Sequence, residues 1–285
     1  MPLTLSAAKP KPSVYEFDAL GTRWWCEAIS GTVDDTLRLA IDDAVQQFVA
    51  DYSRFDEQSL LSQLCRDGYL NHPPAEMVAM LEFAREVFDV TDGVFNISVG
   101  GVLERAGYGH GTGGETNNAL WSEVSVSDDI IRAPKGARLD FGGFGKGWLI
   151  DKLAALFRQH GVEQFIINGG GDLFVQSNTP VELSLEHPLD ATKQIGTTQM
   201  WRGGLAVSST IKRQWQKNGT THHHIIDPSL GVSSQSGVAS VYVKAPTALV
   251  ADTLATVLII NPTLKQKLER HFNAQAIIIN FNQLS

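Results

Sequence analysis

The chain has 285 residues, 43% of them hydrophobic and 19% charged, with 26 glycines and 11 prolines, which is ample for a large core in one α/β or α+β domain or in two closely packed lobes. Its 31 acidic and 23 basic residues leave a formal net charge of −8, so nothing long-range attracts nucleic acid or an anionic membrane. The two cysteines, Cys26 and Cys65, lack CxxC spacing, exclude a disulfide framework and read as buried apolar thiols.

Met1 to Ser13 is dotted with Pro and Lys and holds neither an apolar signal core nor a lipidation cysteine. No run in the chain reaches the roughly 18 apolar residues of a membrane span. The expectation is a flexible tail over residues 1–13 on a cytoplasmic protein, or a periplasmic or membrane-anchored one if a leader once preceded it.

Val14 to Ile29 reads as a strand interrupted at Ala19-Leu20-Gly21-Thr22. Thr32 is placed to cap a helix that carries Leu37, Ile41, Ala44, Val45 and Phe48 on one face. A second helix follows Pro73-Pro74, with Met77, Met80, Leu81, Ala84 and Phe88 turned inward as core. Gly107 to Asn118 reads as a loop, and Trp121 to Phe141 as a hairpin turning at Pro134-Lys135-Gly136. A helix from about Lys146 to Gln159 stops at Gly161, and a buried strand, Val162 to Asn168, ends in Gly169-Gly170-Gly171-Asp172. After further strands come helices from about Thr247 to Ile260 and Thr263 to Phe272, then a closing strand, Ala276 to Phe281. Strands arriving both as hairpins and after helices predict an α+β protein with a mixed sheet.

Two glycine-rich segments resemble phosphate loops. Gly109 to Gly114 fits GxGxxG, but no helical pattern follows it, and that motif has meaning only between a strand and a helix. Gly142-Gly143-Phe144-Gly145-Lys146-Gly147 lacks the first glycine and the final hydroxyl of a P-loop; it still brings glycines into a helix N-terminus, where backbone groups can meet a ligand.

Asp252 and Thr256 are four apart on a predicted helix and point the same way. A carboxylate and a hydroxyl, with a nearby carbonyl, are hard oxygen ligands for magnesium. Helix-dipole compensation and packing account for the same pair, and spacing leaves both readings open. His222-His223-His224-Ile225-Ile226-Asp227-Pro228 places a histidine before a strand end and turn, a setting that suits a general base or simply a polar loop. Adjacent histidines in a strand face opposite sides, which argues against one transition-metal site.

Taken in order, these segments resemble the ApbE-type FAD:protein FMN transferases. Ala19-Leu20-Gly21-Thr22 is similar to that family's AMGT, residues 55–62 (FDEQSLLS) to YxxDSEIS, and residues 91–100 (TDGVFNISVG) to GGAFDPTVG. Residues 139–151 (LDFGGFGKGWLID) resemble LDLGGIAKGYAVD, and Val207-Ser208-Ser209 stands where VATSG is expected. Residues 224–231 (HIIDPSLG) resemble HIIDPRTG, and residues 251–256 (ADTLAT) resemble ADALAT. The likeness spans about residues 14–262.

The resemblance implies a single catalytic domain over residues 14–285, T-fold-related, with FAD held between two closely packed lobes. It implies that a Thr or Ser hydroxyl of a target protein, in a motif of the D-G-x-[ST]-G-A-T kind, attacks the FMN-side phosphorus and releases AMP. One or two magnesium ions would be held by the Gly145 carbonyl, Asp252 and Thr256. His224 would be the base and Asp227 its orienter. Leu20, Phe55, Val94, Phe95, Asn96, Gly142, Lys146, Trp148 and Ile226 would contact FAD. Phe55 stands for a tyrosine, Asn96 for an aspartate, Gly145 for an alanine, and Ser229-Leu230 alter the RTG turn. An FAD pyrophosphatase, releasing FMN and AMP to water, and a non-catalytic flavin-binding protein are the alternative functions.

Overall fold

The computed structural model describes residues 13–109 and 118–284. Residues 1–12 of the expected tail, and the GxGxxG-like segment beyond Gly109, lie outside the described residues. In chain order the elements are β1 (Ser13–Ala19), β2 (Thr22–Ser30), α1 (Asp35–Tyr52), α2 (Leu60–Asp67), β3 (Tyr69–Asn71), α3 (Ala75–Val90), α4 (Gly100–Ala106), α5 (Asn118–Ser122), β4 (Ile130–Arg132) and α6 (Gly145–Gln159). There follow β5 (Gln164–Gly169), β6 (Asp172–His187), β7 (Asp190–Ser209), β8 (Gln214–Lys217), β9 (Thr220–His223), β10 (Ile226–Asp227), β11 (Val232–Ser233), β12 (Val238–Ala245), α7 (Ala248–Ile260), α8 (Lys265–His271) and β13 (Gln275–Asn280).

The architecture is α+β around a seven-stranded sheet of order β1-β2-β5-β6-β7-β12-β13. The sheet is not mixed as the sequence suggests: every neighbouring pair in it is antiparallel. A single crossover helix would return the chain parallel, but each helical excursion here goes out and comes back. After β2 the chain leaves through α1 and returns through α6, so β5 starts beside the end of β2, with Gln164 opposite Ser30. After β12 it leaves through α7 and returns through α8, so Gln275 of β13 lies opposite Lys244.

Alternation along the strands sets two layers. Phe165 and Ile167 of β5, and Val241 and Val243 of β12, enter the main core with α1, α6 and α7. Ile166 and Tyr242, between them in sequence, join Leu173, Val175, Leu185, Met200 and Leu205 in a smaller cluster on the opposite face. Trp121 to Phe141 does not turn back at Pro134-Lys135-Gly136: α5 occupies its start, the chain folds back earlier, with Ser125 bridged antiparallel to Arg132, and β4 also pairs antiparallel with β3, Leu70 opposite Ile131. The α1 cap is Asp34, which accepts the Leu37 amide, and not Thr32. Among the described residues no helix is long and apolar enough to cross a membrane.

Two glycines let α7 approach. A Cβ on Gly147 of α6 would sit 2.5 Å from the Ala248 carbonyl oxygen, and one on Gly204 of β7 would sit 2.5 Å from the Ala248 Cα. The α7 N-terminus is closed by Thr247, which accepts the Val250 amide at 3.2 Å, and by Asp151, which accepts the amides of Ala248 (3.0 Å) and Leu249 (2.8 Å).

Candidate active site

A cleft of about 520 Å³ opens where the α6 and α7 N-terminal halves meet the ends of β5, β6 and β7. The β1–β2 turn forms one lip. It is a two-residue turn with Leu20 at φ +48° and Gly21 at φ +71°, the left-handed pair that matches strand twist, and it aims Leu20 into the cleft. Phe48, Val94, Phe95 and Ile226 supply apolar wall, and Phe55, 55% exposed, stands at the rim.

The floor is charged. Lys146, in the first turn of α6, donates to both oxygens of Asp252 at 3.1 and 3.2 Å and also to Asp172. Asp252 accepts the Gly147 amide at 2.9 Å, and Asp172 accepts the Val207 amide at 2.9 Å. Burial pushes the Asp252 carboxyl up from the ordinary carboxylate range, against the pull of Lys146 and with the repulsion of Asp172. Burial works against the Lys146 ammonium, but the two carboxylates overcome it and hold its pKa above the ordinary lysine value. Thr256, one turn beyond Asp252, lies with its Oγ1 3.3 Å from the Ser208 hydroxyl, and Gly145 lines the same corner.

His224 comes in from the strand end after β9. Its Nδ1 is buried and, among the described residues, has no hydrogen-bond partner. Burial first, then the positive charges of Arg213 and Lys146, push its pKa down to about 3, so the ring is neutral. His223 is a structural residue: its Nδ1 accepts the Ile225 amide at 3.3 Å and its Nε2 donates to the Ser234 carbonyl at 3.0 Å, which fixes the tautomer. His222 stacks on Trp215, 6.2 Å between ring centroids.

Leu20, Phe55, Val94, Phe95, Asn96 and Gly142 therefore share one cleft with Gly145, Lys146, His224, Ile226, Asp252 and Thr256. Two residues do not join them. Asp227 turns away into its own loop, where its Oδ1 accepts from the Ser229 amide (2.9 Å), the Ser229 hydroxyl (2.6 Å) and the Leu230 amide (3.3 Å). Trp148 is on the far side of α6 and donates its indole N–H to Glu76 at 2.9 Å. A helix carries successive residues about 100° apart, so the helical face that presents Lys146 cannot also present Trp148.

The sequence reading missed several residues that line the cleft: Arg54, Tyr108, Asp172, Lys212 and Arg213. Asp172 had a signal, an acid directly after Gly170 and Gly171, both at positive φ, in a tight turn between strands. The others lie in segments whose local pattern says only loop or strand. The lining holds four cations (Arg54, Lys146, Lys212, Arg213) against three carboxylates (Asp140, Asp172, Asp252), on a chain that is acidic as a whole. Arg54 is tied to Asp140, Lys146 to Asp172 and Asp252, and Lys212 to Glu186. Among the described residues Arg213 makes no ion pair.

A model of the ApbE family matches residues 20–278. The chain belongs to the ApbE family. It is 23% identical to a Haemophilus influenzae protein named FAD:protein FMN transferase, over 91% of this chain and 84% of that one. An Escherichia coli (strain K12) protein of the same name is 28% identical over 88% of this chain and 81% of that one. The crystal structure of an ApbE protein from Thermotoga maritima superposes with a TM-score of 0.84 at 22% identity, covering 95% of each chain, and so shares the fold. The departures from the family pattern fit locally. A Cβ at Gly145 would meet nothing nearer than 3.8 Å, so the expected alanine and this glycine are interchangeable there. Asn96 keeps an acceptor role, taking the Ser98 amide at 2.8 Å.

Proposed function

We propose that this chain is a magnesium-dependent FAD:protein FMN transferase, moving FMN from FAD to a serine or threonine hydroxyl of an acceptor protein and releasing AMP. The observation that carries this reading is the meeting in one cleft of Gly145, Asp252 and Thr256 with the His224 imidazole and with Arg213, which makes no ion pair among the described residues.

The donor set fits a hard dication: carboxylate, hydroxyl and carbonyl, all oxygen. A zinc, copper or iron–sulfur centre would call for nitrogen or sulfur ligands, and among the described residues no group of three or more His, Cys, Asp or Glu side chains is so arranged. When bound, the dication supplies charge neutralisation at the diphosphate. The chain's own residues supply the rest. Arg213 and Lys146 present cations to the diphosphate, and Phe48, Val94, Phe95 and Ile226 keep water from the flavin side. The acceptor oxygen bonds to the FMN-side phosphorus as the bridging P–O bond breaks, AMP departs, and the hydroxyl proton passes to the His224 imidazole. At about 3 the imidazole by itself is a weak base. The anionic diphosphate counters the charges of Arg213 and Lys146 that help depress it, and so raises its basicity when it is needed.

The test is to incubate the protein with FAD and magnesium and to follow AMP with and without a peptide bearing the D-G-x-[ST]-G-A-T motif. AMP release that depends on the peptide is the expected result. AMP release indifferent to the peptide would make the chain an FAD pyrophosphatase, and no AMP in either case would make it a flavin-binding protein.

A further inference from the structure

The ammonium of Lys146 is wedged between two buried carboxylates, Asp252 at 3% and Asp172 at 2% exposure. Both carboxylates are anchored by backbone amides, Asp252 by Gly147 and Asp172 by Val207, each at 2.9 Å, so neither is free to swing away. The movable partner is the lysine, whose long unbranched stem leaves its side chain 19% exposed toward the cleft. Two carboxylates and one ammonium leave a net single negative charge in a buried place, a standing demand for more cation. At 3.1 and 3.2 Å from the two oxygens of Asp252, the ammonium also covers the lone pairs that a hard dication would use. The two cations cannot share that carboxylate face.

We propose that Lys146 is an exchangeable occupant of the cation seat on Asp252, and that Asp172 is the positioning residue that retains its ammonium beside the seat until the diphosphate of FAD offers a new partner. The inference rests on the metal reading above. In the flavin-free protein a dication must evict Lys146 from Asp252. With FAD present the ammonium turns to the diphosphate, so dication and FAD bind synergistically, and reciprocally so. Removing Asp172 leaves Lys146 with Asp252 alone and tightens its hold on the seat.

The experiment measures Mn2+ affinity by the electron spin resonance of free Mn2+, with and without FAD, in the wild type, Lys146→Met, Asp172→Asn and the double variant. Without FAD, Lys146→Met should bind Mn2+ at least about tenfold tighter than wild type, since one displaced charge–charge contact is worth that much, and FAD should then tighten Mn2+ by a smaller factor than it does in wild type. Asp172→Asn should bind Mn2+ more weakly than wild type without FAD, and adding Lys146→Met should reverse that loss. The double variant holds one carboxylate and no facing acid, so its comparison with Asp172→Asn decides the matter even if Lys146→Met alone fails to fold. Flavin-free affinities that do not rise on removing Lys146, in either background, would overturn the proposal. If wild type binds Mn2+ with FAD and that result is obtained, only this inference falls; if wild type binds no Mn2+ even with FAD, the metal reading falls with it.

Discussion

Asp252, on α7, accepts the backbone amide of Gly147, on α6, at 2.9 Å. The carboxylate assigned to the dication is thus aimed by a helix–helix contact, and that contact exists because position 147 has no side chain. Gly147→Ala would put a Cβ 2.5 Å from the Ala248 carbonyl oxygen and 2.7 Å from the Leu249 Cα, which are backbone atoms that cannot yield. Overpacking of this kind costs about 1–3 kcal/mol, and a carboxylate displaced by an ångström loses on the order of a hundredfold in rate. Urea unfolding and AMP release should both register the change, and a variant as stable and active as wild type would contradict this geometry.

Asp151 gives a stability prediction with a definite sign. Burial raises its pKa from 3.8 to about 6, outweighing the amides of Ala248 and Leu249 that it caps. An acid raised on folding binds its proton more tightly in the folded state, so its contribution to stability grows as pH falls from about 6 to 3.8. The full excursion is worth about 3 kcal/mol at most. Asp151→Asn should remove this component of the pH dependence and keep α7 capped, whereas Asp151→Ala should lose about 1–2 kcal/mol by stripping both amides of their acceptor. Unfolding free energies at pH 7 and pH 5 for the three proteins check both statements.

His224 works in the opposite direction. Its pKa is lowered from 6.5 to about 3, so the unfolded chain takes the proton first and stability is lost as pH falls below 6.5. At pH 5 the loss is about 2 kcal/mol at most, and His224→Gln should abolish it. The same substitution should lower FMN transfer by about a hundredfold with little change in FAD affinity, since glutamine cannot accept the proton. A limb at pH 6 to 7 in kcat/KM, which reports the free enzyme, is not expected from His224. Turnover of His224→Gln near wild type would remove the base role.

Much of this was legible in the sequence, for identifiable reasons. The long helices were written in apolar periodicity and in stops such as Gly161, and Asp252 and Thr256 were placed together by four-residue spacing. Sheet direction was not, because nothing local distinguishes one crossover helix from the out-and-back pairs α1/α6 and α7/α8. Nor was the side of α6 that faces the cleft: Lys146 and Trp148 are two apart in a continuous motif, and only packing against Glu76 decides that the indole points elsewhere. Arg213 was missed because its significance lies in making no ion pair among the described residues, which is a property of three-dimensional surroundings.

Arg213 is predicted to hold the diphosphate. Arg213→Ala should weaken FAD binding about tenfold to a hundredfold, the worth of a charged hydrogen bond to phosphate, while riboflavin binding stays unchanged. Arg213→Lys should fall between, keeping the charge but losing the planar fork. Calorimetric titration with the two flavins separates these results, and an equal loss for riboflavin would mean that the arginine only shapes the wall.

The most direct test of the whole account is the mass of an acceptor peptide carrying the D-G-x-[ST]-G-A-T motif after incubation with FAD, magnesium and either wild type or Asp252→Ala. Wild type should add one FMN to the Ser or Thr and release one AMP for each, Asp252→Ala should add none at any magnesium concentration, and chelation by EDTA should silence the wild type. A peptide flavinylated equally by both proteins, or by wild type in excess EDTA, would contradict the assignment of this cleft as a magnesium-dependent FMN-transfer site.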